Sequence, residues 1–186
     1  VSIDGTASEK YLNSRGIFSP WPNAVRHHAG SCQLVVASTS PDGEHTAIQR
    51  VFLQQDGKPK LDDDGDKIKR SLGPRYGGAV RLDGNDRALC LAEGPETGLS
   101  IWSATGIETW VGLGQISSIK IDNVPLDRII VVCRDDDKRF APGRKKLKDT
   151  VRKWRSEGRT VLEVLPHERS RGNKGDFNDT LQLFGR

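Results

Sequence analysis

From residue 87 onward the apolar positions fall into two alternating forms. Short, largely apolar runs at 88–92, 109–113, 128–133 and 160–165 have the length of strands, and those at 88–92 and 128–133 read as buried parallel strands. Between them lie segments with apolar residues at helical spacing, 96–104 ended by Gly106 and 143–157 ended by Gly158. A last helix is predicted over 176–184, with Asp176 at its N-cap and Gly185 past its end. Strands alternating with helices imply βαβ crossovers and a mostly parallel sheet.

The first half reads differently. Thr6-Ala7-Ser8-Glu9 is a capping-box pattern opening a short helix that carries Tyr11 and Leu12 and closes at Gly16. The runs 33–38 and 45–53 are predicted strands of a hairpin around Pro41-Asp42-Gly43. Alternation in the second puts Ile48, Arg50 and Phe52 on one side and Gln49, Val51 and Leu53 on the other. Residues 67–72 form a short basic strand, and Gly77-Gly78 marks the crossing into the second half. The expected architecture is α/β: a mixed α+β subdomain over 1–85, then a mostly parallel sheet flanked by helices over 86–186.

Composition narrows the partners. The chain has 186 residues, 34% hydrophobic and 29% charged, with a formal net charge of +4. That is a globular composition, mildly basic, compatible with a nucleic-acid partner. Acids gather at 62–66 and 135–137, bases at 67–70 and 138–155. The run Asp62-Asp63-Asp64-Gly65-Asp66 lacks the distal Glu of a calcium loop and is read as a solvated loop. Adjacent His27 and His28 cannot share a strand or helix face, so a surface or phosphate-contacting pair is expected rather than zinc. Cys32, Cys90 and Cys133 are scattered, as reduced packing residues in a cytoplasmic protein would be. No run suggests a membrane span or signal peptide. The start at Val1, without a zinc ribbon or Walker A sequence, gives the expectation of a piece of a larger protein.

Two apolar runs end in acid. Leu89-Cys90-Leu91-Ala92 leads into Glu93-Gly94-Pro95, and Val131-Val132-Cys133 leads into Arg134-Asp135-Asp136-Asp137. Ligands of open α/β sheets sit at the C-terminal strand ends. Asp135 and Asp137 leave an extended backbone on one side, Asp136 on the other. Glu93, Asp135 and Asp137 together would be too negative to stand without a cation, and hard oxygen donors suit Mg²⁺ or Mn²⁺. Helix 143–157 carries Arg144, Lys145, Lys148 and Arg152 among other bases, which fits either a face tracking a nucleic-acid backbone or a solvated face.

A Glu at one strand end followed by Asp-x-Asp at a later one resembles the Toprim fold of bacterial primases, topoisomerases and some nucleases. The fuller string Leu91-Ala92-Glu93-Gly94-x-Glu96-Thr97-x-Leu99-Ser100, the late Gly175-Asp176-Phe177-Asn178-Asp179, and upstream Leu72-Gly73-Pro74 with Gly77-Gly78-Ala79-Val80-Arg81-Leu82 resemble primases of phages, plasmids and conjugative elements. Such primases are often joined to a helicase or relaxase. The resemblance implies catalytic and metal-binding roles for Glu93, Asp135 and Asp137, further acid from Asp176, and nucleotide-phosphate contacts from Lys69 and Arg70 with Arg50 behind them. Asp176 equally suits a simple helix cap, and Glu96 reads as a first-turn residue beside the helix dipole. Cellular primases carry an acid where this chain has Thr97, and the basic insertion 138–142 also departs from the pattern.

The expected activity is metal-dependent synthesis of short primers on single-stranded DNA from nucleoside triphosphates. A hydrolytic Toprim nuclease would use the same acids, and a non-catalytic DNA-binding module of a larger replication or conjugation protein is the third reading. A topoisomerase is disfavoured because neither Tyr11, on the first helix, nor Tyr76, in a Gly-rich turn, has the context of a nucleophile.

Overall fold

The computed structural model describes residues 1–135, 142–167 and 175–185. The α/β architecture expected from the sequence is present as two sheets. The first half contributes helix α1 (Ala7–Ser14) and strands β1 (Val25–His28), β2 (Gln33–Thr39), β3 (His45–Phe52) and β4 (Lys69–Leu72). These four strands form an antiparallel sheet in the order β1-β2-β3-β4. The Thr6 hydroxyl caps α1 by accepting from the Ser8 N–H. In β3, Ala47 and Val51 are buried while Ile48, Arg50 and Phe52 lie half-exposed on the other face, as the alternation required.

Strand β1 is an element that the sequence reading did not contain. Its burial alternates, so His27 is buried, with Nδ1 2.8 Å from the Ser8 hydroxyl, while His28 faces outward. The pair therefore splits between the two faces of an edge strand. The acidic turn 62–66 is exposed, its Asp62 carboxylate accepting from the Asp64 and Asp66 N–H groups.

The second half contains β5 (Val80–Leu82), β6 (Asn85–Ala92), helix α2 (Pro95–Thr105), β7 (Ile107–Val111), β8 (Ile130–Cys133), helix α3 (Pro142–Ser156), β9 (Val161–Val164) and helix α4 (Phe177–Phe184). The sheet order is β5-β7-β6-β8-β9; β6 to β9 run parallel and β5 is an antiparallel edge on β7. No α-helix joins β7 to β8; the connection holds a single 3₁₀ turn at Ile116–Ser118.

The central strands β6, β7 and β8 are buried on both faces, whereas edge strand β9 buries Val161 and leaves Leu162, Glu163 and Val164 exposed. Cys90, Ala92, Val111 and Cys133 join Leu99 of α2, Tyr11 and Leu12 of α1, and Leu34 and Val51 of the antiparallel sheet in one apolar cluster. Leu89, Leu91, Trp110, Ile130 and Val132 face the other way, onto Val151 and Trp154 of α3 and the β7–β8 connection. All three cysteines are free and buried. The two sheets meet where Thr39 bridges Ala79 and where Arg81, stacked 3.8 Å over Trp110, donates to the Thr39 hydroxyl. Both halves thus share one core. Among the described residues no helix is long and apolar enough to cross a membrane.

Candidate functional site

Parallel pairing sets the site. Ala92 of β6 stands opposite Cys133 of β8, so the two strands end level and Glu93 and Asp135 leave the sheet at the same edge. The turn after β7 closes over them: the Gly114 N–H donates to the Glu93 carbonyl at 2.9 Å. The result is a cavity of about 200 Å³ lined by Glu93, Gln115, Arg134, Asp135, Arg144 and Leu147, among others. Gly94 caps α2 and Pro95 occupies its first turn, so the positive end of the helix dipole lies beside the acids. Gly98 lets α2 lie close to the sheet: a Cβ there would stand 2.3 Å from Val111 Cγ2.

The acid expected by analogy at position 97 is replaced by a hydroxyl with a visible task. Thr97 is buried and its Oγ1 donates to Asp135 Oδ1 at 3.3 Å. Asp137, like Asp136 and residues 138–141 of the insertion 138–142, lies outside the described residues. Asp176 is the N-cap of α4 in a full capping box, accepting from the Asp179 N–H at 2.9 Å while the Asp179 carboxylate accepts from its own N–H. It does not line the Glu93–Asp135 cavity. Burial raises its carboxyl above the usual range, against the pull of its helix-end hydrogen bond.

Glu96 has a much larger part than a dipole partner. Its carboxylate is buried and accepts from Tyr11 of α1, and Lys67 lies 2.7 Å away, Arg15 3.5 Å and Lys69 3.7 Å. Burial alone would raise its pKa; Lys69 and Lys67, with the hydrogen bonds from Lys67 and Tyr11, overcome that and hold it at about 2. Burial is also what draws Lys67 below its ordinary value, Glu96 opposing. The same α2 helix is tied to α4 and α1 by buried Asn178, which donates to Ser100 Oγ at 2.9 Å and to the Arg15 carbonyl at 2.7 Å. In the sequence Glu96 has only a first-turn position beside the helix dipole, and Asn178 only a place in a motif, with no sign of these buried contacts. An alternating Lys67-x-Lys69 strand in need of a counter-charge was the available signal for the first.

The basic candidates separate. Lys69 pairs in register with buried Val51 and faces Glu96 at the start of α2, one helical turn from Glu93. Arg70 pairs with Arg50, on the half-exposed face with Ile48 and Phe52, so strand alternation carries both arginines away from Lys69 and the acids. On α3, Leu147, Val151 and Trp154 turn inward. Arg144 lines the acid cavity, whereas Lys145, Lys148 and Arg152 are exposed and do not.

Among the described residues no three His, Cys, Asp or Glu side chains form a ready cage for a cation. The donors that meet at the cavity are nonetheless hard oxygens, two carboxylates from separate strands with Thr97 behind one of them. That set fits Mg²⁺ or Mn²⁺, which are commonly held by one or two carboxylates and complete their shells with water and substrate phosphate.

A family model described as "Toprim domain" matches residues 88–186, and one described as "Domain of unknown function (DUF7146)" matches residues 1–82. No curated protein matches the chain in sequence. Among solved structures the fold is similar to a DNA primase domain from Pseudomonas aeruginosa, at TM-score 0.54 and 13% identity, covering 94% of this chain and 55% of that one. It is also similar to the DnaG primase catalytic domain bound to ssDNA, at TM-score 0.56 and 11% identity, covering 100% of this chain and 73% of that one. The chain therefore spans about half the length of the first of these.

Proposed function

This chain belongs to the Toprim-domain family, and from that premise we propose that it is a primase-type catalytic core, joining nucleoside triphosphates into short primers on a single-stranded DNA template. The observation that carries the reading is the meeting of two halves. Glu93 and Asp135 share a cavity at the parallel strand ends, and the preceding subdomain aims Lys67 and Lys69 at the first turn of the helix beside it. A nucleotidyl-transfer site needs both: carboxylates where a cation and the reacting oxygen meet, and cations for the triphosphate. A site that only hydrolysed phosphodiesters would have no need of the second.

Glu93 and Asp135, with Asp137 of the same motif, would hold Mg²⁺ or Mn²⁺. Bound there, the ion supplies Lewis acidity for the attacking 3′-hydroxyl and the departing pyrophosphate. Thr97 fixes the carboxylate of Asp135 through its hydrogen bond, so that this donor needs no reorganisation when substrate enters. Lys69, the more exposed of the two lysines with 41% of its side chain accessible, is the group placed to meet phosphate oxygens; Lys67 is held deeper against Glu96. Arg144 adds positive charge to the lining of the cavity. Asp176 acts through the fold, by capping α4. The exposed bases Lys145, Lys148 and Arg152 offer a surface to the template backbone. That the DnaG catalytic domain of the same fold is described bound to ssDNA supports this choice of template. A cytoplasmic phage, plasmid or conjugative-element setting, with a helicase or relaxase attached, is the context in which we place it.

The test is incorporation of labelled nucleotides on a mixed-sequence single strand with Mg²⁺ or Mn²⁺. Short products are expected from the wild type and none from Glu93→Ala or Asp135→Ala. Retained DNA binding without incorporation in the wild type would reduce the chain to a dependent binding module.

A further inference from the structure

Next to the acid cavity lies a second depression, of about 320 Å³, lined by Arg75, Tyr76, Leu113, Gln115, Ser118 and Lys146, among others. Gln115 lines both cavities, and α3 gives Arg144 to one and Lys146 to the other. The two are neighbouring parts of one cleft along the β7–β8 connection.

Tyr76 is the unusual member. It is 70% exposed, yet the turn that carries it is held firmly. The Gly77 N–H donates to the Ser118 carbonyl at 2.9 Å, and the Arg75 guanidinium donates to the Leu113 carbonyl at 2.9 Å. Gly77 has a φ of +83°, and the Lys120 stem packs close enough to lie 3.4 Å from any Cβ placed there. The Lys120 ammonium stands 6.0 Å from the Tyr76 ring centre. A tyrosine put on the surface merely because surfaces contain apolar atoms would need no such clamp. Here the turn that presents an exposed ring is tied down, with Arg75, Lys120 and Lys146 around the ring and no acid among the described residues that line the depression. Positive charge interleaved with a presented aromatic is the chemistry that tracks a single strand: cations meet the phosphates and the ring stacks on a base.

We propose that Tyr76 is a base-stacking platform for single-stranded DNA adjoining the acid cavity, with Arg75, Lys120 and Lys146 meeting the neighbouring phosphates. The assignment rests on the reading of the chain as a primase core, since it takes the strand to be the template. It adds a place where one template base is gripped outside the reacting centre.

The experiment is equilibrium binding of a fluorescently labelled single-stranded DNA to the whole chain, without nucleotide, over a series of salt concentrations. Tyr76→Ala should weaken binding roughly 10- to 100-fold while leaving the salt slope unchanged, because a stack releases no counterions. Tyr76→Phe should bind as the wild type. Lys120→Ala and Lys146→Ala should each make the slope shallower by about 0.7. An unchanged Tm for Tyr76→Ala would show that the turn still folds. Binding by Tyr76→Ala within twofold of the wild type, a changed salt slope, or a wild type that prefers duplex DNA or RNA would overturn the assignment. Because no nucleotide is present, the two readings fail separately. Tyr76-dependent binding in a chain that makes no primers removes the primase reading alone, and primer synthesis with Tyr76-independent binding removes this one alone.

Discussion

Replacing Glu96 by Gln keeps the shape of the side chain and removes its charge. In the wild type that charge is buried within reach of Lys67, Lys69 and Arg15. With the carboxylate held at about 2 against an ordinary 4.5, its share of the stabilisation at neutral pH is about 3 kcal/mol. Lys67 works against this, since burial pulls its own pKa down, and the cluster's net contribution is smaller than the carboxylate's share. Removing one partner is another matter, because it leaves the part-buried Lys67 and Arg15 uncompensated. Breaking a fully buried pair costs about 3–5 kcal/mol, and the partial exposure of these cations sets the expectation at the low end of that range. We therefore expect Glu96→Gln to lose about 3 kcal/mol and roughly 6–12 °C in Tm for a chain of this size. The sign of the pH dependence follows from a depressed acid. The contribution is complete above the unfolded value near 4.5 and disappears as pH falls through about 2. The assay is urea denaturation of wild type and variant at a series of pH values. Taking the difference cancels the other carboxylates. A gap that narrows between about pH 4.5 and pH 2 is predicted; a gap below about 0.5 kcal/mol, or one that is constant with pH, would show that the Glu96 charge does not stabilise the fold.

Two further variants probe neighbouring links. Thr97→Val removes the hydroxyl on Asp135 without changing side-chain size; primer synthesis should fall on the order of 10-fold in kcat with Tm nearly unchanged, and Thr97→Ser should restore it. Asn178→Leu leaves the Arg15 carbonyl and Ser100 hydroxyl without their buried donor and should cost about 1–3 kcal/mol in chemical denaturation, with α4 loosened first in hydrogen exchange.

The parallel half was legible because its strands are apolar runs bounded by Gly and Pro. The run 88–92 appears within β6, and 143–157 matches α3 to one residue at each end. Gly106 and Asp176 stop and start helices through local backbone chemistry, which a sequence displays directly. Strand β1 escaped because four residues with two histidines carry little pattern, and its buried residues Val25 and His27 are covered only through pairing with Val36 and Leu34. The parting of Lys69 from Arg70 and Arg50 depends on register: neighbours in a strand point apart, and only the β3–β4 pairing shows which face meets α2. The role of Glu96 was hidden for another reason. Its partners Tyr11 and Lys67 stand 85 and 29 residues away, and no spacing rule connects them. The two central acids were readable because parallel strands in a βαβ arrangement end at one edge, so chemistry placed there converges whatever the intervening length.

The most direct measurement follows both strands in one reaction: a template carrying one end label, and nucleoside triphosphates carrying another, incubated with Mg²⁺ or Mn²⁺. A primase core makes short oligonucleotides bearing the nucleotide label, leaves the template intact, and loses those products in Asp135→Ala. A shortened template, with the nucleotide label left in monomers, would contradict the primase reading and assign the Glu93–Asp135 cavity to hydrolysis.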